Sequence, residues 1–379
     1  MAPAQRSALA SARRIVVKVG SNVVIRDDGS PALSRLFGLM ETLCACRSSG
    51  AEVLLVSSGA VGLGMQALGL RRKPADLDLK QACAAVGQGR LMALYQEGFT
   101  RLGREAAQVL LTEEDFADRR RYLNLRATLE RLLSLGAISV INENDTVSTA
   151  ELEAQDPDRP WSKPVFGDND KLSALVASKM DADLLVILSD VDGLYTANPQ
   201  TDPQATLIGE VPALTPAIEA LAAGTGSRGR GGMATKLAAA RIATGSGALT
   251  VIAGGALPNV LERILAGEPV GTLFHAGPRL QGKRRWIAFA SSPRGRVTVN
   301  AGAREAIQDR EASLLTAGVV AMEGGFSAQD VVSLADEEGR EFARGVAALS
   351  QAEAARRTSG RGRVLVHRDT LVRLEEGRP

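Results

Sequence analysis

Lys18 lies in the middle of Arg14-Ile15-Val16-Val17-Lys18-Val19-Gly20-Ser21-Asn22, an apolar run that ends in a glycine turn. Such a run reads as a buried strand, and a buried ammonium needs an anion beside it. The chain carries 8 lysines against 37 arginines. Where any cation would serve, it supplies arginine, so a lysine in a glycine-rich setting points to a need for a compact ammonium. A second one, Lys236, follows Gly231-Gly232-Met233-Ala234-Thr235. Glycines ahead of a helix whose first turn holds Thr and Lys can cradle a phosphate. The Walker pattern GxxxxGK[ST] is absent, and so is GxGxxG with a following strand acid, which argues against a dinucleotide fold.

Other clusters fall at strand ends, where open α/β sheets bind ligands. Gly20 and the run Val56-Ser57-Ser58-Gly59-Ala60 let backbone N–H groups approach a phosphate or carboxylate, although each alone is also a plain βα turn. Asn142-Glu143-Asn144-Asp145 and Asp168-Asn169-Asp170-Lys171 are polar stretches beside apolar runs. Single Asp or Asn residues there are ordinary helix caps. Together they suit holding an α-amino group, orienting the lysines or contributing to a metal site. Ser189 and Asp190 end another strand near a nucleotide position, while Asp192-Gly193 reads as a hairpin turn. Two anion sites with two lysines between them suit phosphoryl transfer, in which positive groups neutralise the moving phosphoryl. No covalent nucleophile is evident, so direct in-line transfer from ATP to a substrate oxygen is expected.

The elements that must position these groups alternate along the chain. Apolar runs at 14–20, 51–58, 106–112, 137–145, 183–190 and 248–255 are separated by helical patterns, which implies a mainly parallel sheet covered on both faces. From about Arg294 the pattern changes to short strands spaced by turns, a β-rich domain of roughly 80 residues. The expected division is a catalytic domain over 1–277, a linker over 278–293 and a small domain over 294–379. Glu153–Pro164, Gly224–Gly232 and Gly277–Lys283 read as exposed connections.

Bulk composition narrows the function classes. A net charge of +2 leaves no global field for nucleic acid or an anionic membrane. The 3 cysteines and 2 histidines leave little material for disulfides, zinc or Ser-His-Asp chemistry. No stretch of about 18 apolar residues is present to span a bilayer, and no secretory signal opens the chain, so a cytoplasmic location is expected.

The ordered motifs VKVGSN, VSSGAV, NENDTV, FGDNDKLSA, LSDVDGLYT and GGMATK resemble the amino-acid kinase family, in particular its glutamate-phosphorylating branch. The likeness runs from about Arg13 to the end, and the C-terminal segment is similar to a PUA domain. The resemblance implies an α/β/α sandwich and transfer of phosphate from ATP, with Mg2+, to the L-glutamate side chain, yielding γ-glutamyl phosphate for proline biosynthesis. It further implies Lys18 and Lys236 as the lysines of the transferring phosphate, with Asp170 orienting them. Ser58, Gly59, Asp145 and Asn169 would hold glutamate. Gly20, Ser189, Asp190 and the run Arg230, Gly231, Gly232, Met233, Ala234, Thr235 and Lys236 would hold ATP. Feedback inhibition by proline, a glutamyl phosphate reductase as product partner, and a homodimer or homotetramer are also implied. Asn22 stands where the family commonly has Ser or Thr, Arg230 where it has Thr, and the stretch 151–166 is longer than usual.

Besides a catalytically dead regulator, which the presence of Lys18, Asp145, Asn169 and Lys236 argues against, two other readings compete. One is a related carboxylate or carbamate kinase on the same fold. The other is an RNA-binding regulator, since PUA domains elsewhere bind RNA. Residues 294–379 hold 13 Arg, no Lys and 13 Asp or Glu, and aromatics are 3% of the chain, so neither a basic groove nor stacking platforms are expected.

Overall fold

The computed structural model describes residues 6–72, 74, 76–112, 114–147, 169–223, 232–277, 284, 287–288, 293–356 and 362–374. Arg230, Gly231, the stretch 151–166 and most of 278–293 lie outside the described residues. The chain divides into two units, the second holding most of residues from Leu280 onward.

The first unit is built around β1 (Arg14–Val19), whose last five residues are buried. In chain order it is followed by α1 (Leu33–Ser48), β2 (Glu52–Ser57), α2 (Ala60–Ala67), α3 (Leu77–Arg101), β3 (Ala106–Leu111), α4 (Arg119–Ser134) and β4 (Ile138–Glu143). Then come α5 (Asn169–Lys179), β5 (Leu184–Ser189), β6 (Glu210–Val211), α6 (Pro216–Ala223), α7 (Met233–Thr244), β7 (Leu249–Gly254), α8 (Val260–Leu265) and β8 (Thr272–Phe274). The sheet order is β3-β4-β2-β1-β5-β7-β8-β6. Pairing is parallel throughout except between β7 and β8. The Val/Ile/Leu runs thus form a parallel sheet buried on both faces, as continuous apolar strands require.

Strand alternation assigns the two faces. Ile15, Val17 and Val19 of β1 join Val53, Leu55, Val140, Val186 and Leu188 in the core that α1, α2, α3 and α8 cover. Lys18 has the opposite parity, pairs with Val56 and Ile187 in register, and meets α5 on the other face. From β1 the chain builds outward on one side to β2, and β5 opens the other side. The carboxyl ends around β1 are therefore the switch-point crevice of an open sheet.

Two expectations of local structure change. Asp192-Gly193 is not the tip of a hairpin. The chain bends there, and Leu194 instead receives the Ile208 N–H, with Tyr195 bridging Leu207 further out. Gly193 has φ of 151°, and a Cβ on it would meet the Thr272 hydroxyl at 2.6 Å. This glycine serves a close approach to β8 rather than a two-residue turn. The short elements β6, β8, α6 and α8, absent from the sequence reading, complete the far side of the sheet.

In the second unit, β9 (Gly295–Val299), α9 (Ala301–Arg310), β10 (Leu314–Leu315), β11 (Val319–Glu323), β12 (Val331–Ala335), β13 (Glu341–Ala347), α10 (Gln351–Ala355) and β14 (Val364–Arg373) give a sheet of order β10-β14-β13-β12-β9-β11. Its core includes Val297, Leu334, Phe342 and Leu365. The run after Val299 is helix rather than more strand because the Asn300 side chain accepts from Ala303 N at 2.9 Å and caps α9.

Candidate active site

Lys18 and Lys236 converge on one carboxylate. Lys18, 4% exposed, forms an ion pair with Asp170 Oδ1, and Lys236 Nζ donates to Asp170 Oδ2 at 3.2 Å. Asp170 is fully buried in the first turn of α5. Thr235 Oγ1 lies 3.2 Å from the same Oδ2. Burial alone would raise the Asp170 carboxyl, but the charges and hydrogen bonds of Lys18 and Lys236 outweigh it and hold the group below the usual carboxylate range. The site therefore sets Lys18 and Lys236 against one shared carboxylate, with Asp190 acting on Lys236 from the neighbouring strand end.

The local backbone explains how these groups are presented. Gly232 caps α7, and the Thr235 hydroxyl donates to its carbonyl at 2.8 Å, which fixes the first turn carrying Met233, Ala234, Thr235 and Lys236. On the other side, Gly20 donates its N–H to Leu188 O at 3.0 Å. A Cβ there would come within 3.3 Å of that oxygen and 3.7 Å of Lys18 Nζ. Gly59 has φ of 109° and sits against Val24, a position suited to glycine just before α2.

A second cluster lies beside the lysines. Asn169 Nδ2 donates to Ser58 Oγ at 2.9 Å and to Asn142 Oδ1 at 2.9 Å. Asn142 Nδ2 donates to Gln88 Oε1 at 2.8 Å. Asp145 follows in the turn beyond β4, half-buried. Beneath Ser58, the buried Tyr95 hydroxyl hydrogen-bonds Ser57 Oγ at 2.8 Å, and burial pushes the phenol up to about 12, so it stays protonated. Asn169 Oδ1 is buried and has no hydrogen-bond partner among the described residues. A polar amino-acid ligand suits that oxygen, because an unmatched buried acceptor is costly.

The nucleotide-side candidates also meet. Ser189 Oγ donates to Asp190 Oδ1 at 2.8 Å, and Asn22 Nδ2 donates to Asp190 Oδ2 at 3.1 Å. Burial raises the Asp190 carboxyl, and the Ser189 hydroxyl, its own backbone, Lys236 and Asn22 together bring it below the usual range. The departure at Asn22 thus contributes an amide to this corner. Gly254 and Gly255 end β7 beside it. A Cβ on Gly254 would strike Asp192 Oδ1 at 2.3 Å, and one on Gly255 would strike Val23 at 2.4 Å.

Lys18, Asp170, Lys236, Ser58 and Asn169 are brought together, with Ser189 and Asp190 on the neighbouring strand end. Arg230 and Gly231 are outside the described residues. The sequence marks Asn142 only as a member of the polar NEND cluster, without the glutamate-holding role given to Asp145, and Gln88 is not among the sequence candidates. Asn142 opens the polar NEND stretch and could have been chosen with Asp145. Gln88 carries no local signal, since it lies inside a long helix.

The sequence model of the amino acid kinase family matches residues 13–253, and that of the PUA domain matches residues 295–369. The chain belongs to the amino acid kinase family. Among characterised relatives it is similar to the glutamate 5-kinase of Myxococcus xanthus, with 48% identity over 97% of this chain and 98% of that protein. It is 45% identical to the glutamate 5-kinase of Moorella thermoacetica over 97% of this chain and 98% of that one. The glutamate 5-kinase of Cupriavidus taiwanensis is 46% identical over 97% and 99%.

Proposed function

We propose that the protein is an ATP-dependent kinase that phosphorylates the side-chain carboxylate of L-glutamate, the first step of proline biosynthesis. The observation that carries the reading is the convergence of Lys18 and Lys236 on the single buried Asp170, beside the amide cluster of Ser58, Asn142 and Asn169. The near full-length likeness to glutamate 5-kinases names the acceptor.

In this reading Ser58, Gly59, Asp145 and Asn169 hold glutamate with its side-chain carboxylate toward the lysines. One carboxylate oxygen attacks the terminal phosphorus of ATP in line. The new O–P bond forms as the bond from that phosphorus to the bridging oxygen breaks, giving γ-glutamyl phosphate and ADP. Lys18 and Lys236 neutralise charge on the phosphoryl oxygens throughout transfer. Asp170 holds both ammoniums in place and takes no proton, since it is kept ionised. Gly20, Ser189, Asp190 and the stretch from Arg230 to Lys236 hold ATP, with the α7 N-terminus facing phosphate. Among the described residues, Asp170 is engaged by the lysines and Asp190 by Ser189 and Asn22. Mg2+ would travel with ATP, held largely by phosphate oxygens and water, and would supply further charge neutralisation on the phosphates. Proline as feedback inhibitor, a reductase receiving the labile acyl phosphate and a cytoplasmic homo-oligomer belong to the same proposal. No described helix is long and apolar enough to cross a membrane.

The test is trapping of the acyl phosphate as a hydroxamate from MgATP with L-glutamate, aspartate or N-acetylglutamate, with and without proline. Glutamate-dependent hydroxamate is expected. Its absence from folded, ATP-binding protein would overturn the substrate assignment, and product from another acceptor would identify a related carboxylate kinase.

A further inference from the structure

Gln88 is delivered to the amide cluster by two glycines. A Cβ on Gly87 would fall 1.7 Å from Ala60 O, and one on Gly64 would fall 1.8 Å from Cys83 O. The backbones of α2 and α3 therefore touch, and the residue after Gly87 is held against the end of β4. There Gln88 Oε1 accepts from Asn142 Nδ2 at 2.8 Å.

That bond and the Glu143 N–H, which also reaches Asn142, together set which way two further amides face. With its NH2 group given to Gln88, Asn142 turns Oδ1 to accept from Asn169 Nδ2 and from Glu143 N, both at 2.9 Å. Asn169 Nδ2 then has both hydrogens committed, to Asn142 and to Ser58. Its Oδ1 is left as the buried acceptor without a partner among the described residues. The group of an amino acid that matches such an acceptor is its α-ammonium. Shape does not choose between the two orientations of an asparagine amide, so a chain of this kind needs an anchor at its far end.

Gln88 is poorly explained as a stabilising residue. Its Nε2 is buried without a hydrogen-bond partner among the described residues. An apolar side chain of equal length would avoid that cost but would leave the buried Asn142 Nδ2 without its acceptor. We infer that Gln88 is a positioning residue for the amino-acid substrate: its carbonyl oxygen fixes the Asn142 amide, and through it the Asn169 carbonyl that receives the α-ammonium. This rests on the glutamate kinase reading for the identity of the ligand, while the orientation of the amides does not.

The experiment compares Gln88→Met, which keeps length and loses the acceptor, with Gln88→Glu, which keeps an acceptor oxygen. Gln88→Met should raise KM for glutamate about tenfold or more and leave KM for ATP within twofold of wild type. Gln88→Glu should lie nearer wild type than Gln88→Met in KM for glutamate. An unchanged KM for glutamate in Gln88→Met, an equal rise in both substrates' KM, or indistinguishable effects of Met and Glu would overturn the proposal. A crystal structure of Gln88→Met supplies the arm that needs no substrate. The Asn142 amide is expected to leave Asn169, and an unmoved Asn142–Asn169 pair refutes positioning even if glutamate proves the wrong acceptor. Absence of turnover by wild type with glutamate, alongside a displaced Asn142, would instead fault the substrate assignment alone.

Discussion

Replacing Asp170 with Asn tests the electrostatic design of the site most directly. The carboxylate is fully buried, and both lysine side chains paired with it are about 5% exposed or less. Removing its charge leaves two ammoniums in a region of low dielectric, facing each other and an amide. Breaking a buried ion pair by removing one partner costs about 3–5 kcal/mol. The amide oxygen can still accept from one lysine, which favours the lower part of that range. The second lysine's loss of the Asp170 charge works the other way. At about 2–4 °C per kcal/mol for a unit of this size, the ligand-free variant should melt about 6–20 °C below wild type. MgATP should stabilise the variant more than wild type, because phosphate oxygens replace the missing anion. Turnover should fall at least a hundredfold, since the lysines lose their shared anchor. Differential scanning fluorimetry with and without MgATP, beside hydroxamate formation, reads all three. A melting point within 2 °C of wild type together with turnover within threefold would show that Asp170 neither balances nor orients the lysines.

Three further outcomes are expected. Lys236→Met should fold, because the side chain is buried and Met preserves its length, yet lose about a thousandfold in kcat by the same hydroxamate assay. Gly87→Ala should destabilise by about 3 kcal/mol, seen as a lower denaturation midpoint, because the new methyl meets the Ala60 carbonyl, which is backbone and cannot turn aside. The Asp190 carboxyl is held below its ordinary range, so its charged form contributes fully above the unfolded carboxylate pKa and loses that contribution as pH falls through the folded value. The melting difference between wild type and Asp190→Asn should thus be constant above about pH 5 and shrink below about pH 4, where the unfolded chain's carboxyl protonates ahead of the folded one.

Much of the site could be read from local signals because each piece carries its own chemistry at a strand end. A lysine inside an apolar run, glycines ahead of a helix, and clustered Asp and Asn after β4 and at the start of α5 are features of a few residues each. The misreadings came where a residue type had two physical uses. Asp192-Gly193 resembles a hairpin turn, yet the glycine answers to the closeness of Thr272. Asn300 could continue or end a strand, and its bond to Ala303 N ends it. Gln88 was missed because a polar residue within a helix normally faces water, and nothing nearby in the chain shows that its neighbour Gly87 lies against another backbone.

The sequence by itself determined that apolar strands alternate with helices, that a β-rich segment follows, and that two lysines sit in anion-binding settings. These follow from side-chain periodicity and backbone freedom, which are local. Only the tertiary structure decided that Lys18 and Lys236 share one buried carboxylate, and that Gln88, Asn142, Asn169 and Ser58 form a single relay. Those relations depend on strand order and on the α2–α3 crossing, where distant segments meet. A hydrogen bond is specified by the position of both partners, and the chain around either one alone does not contain the other.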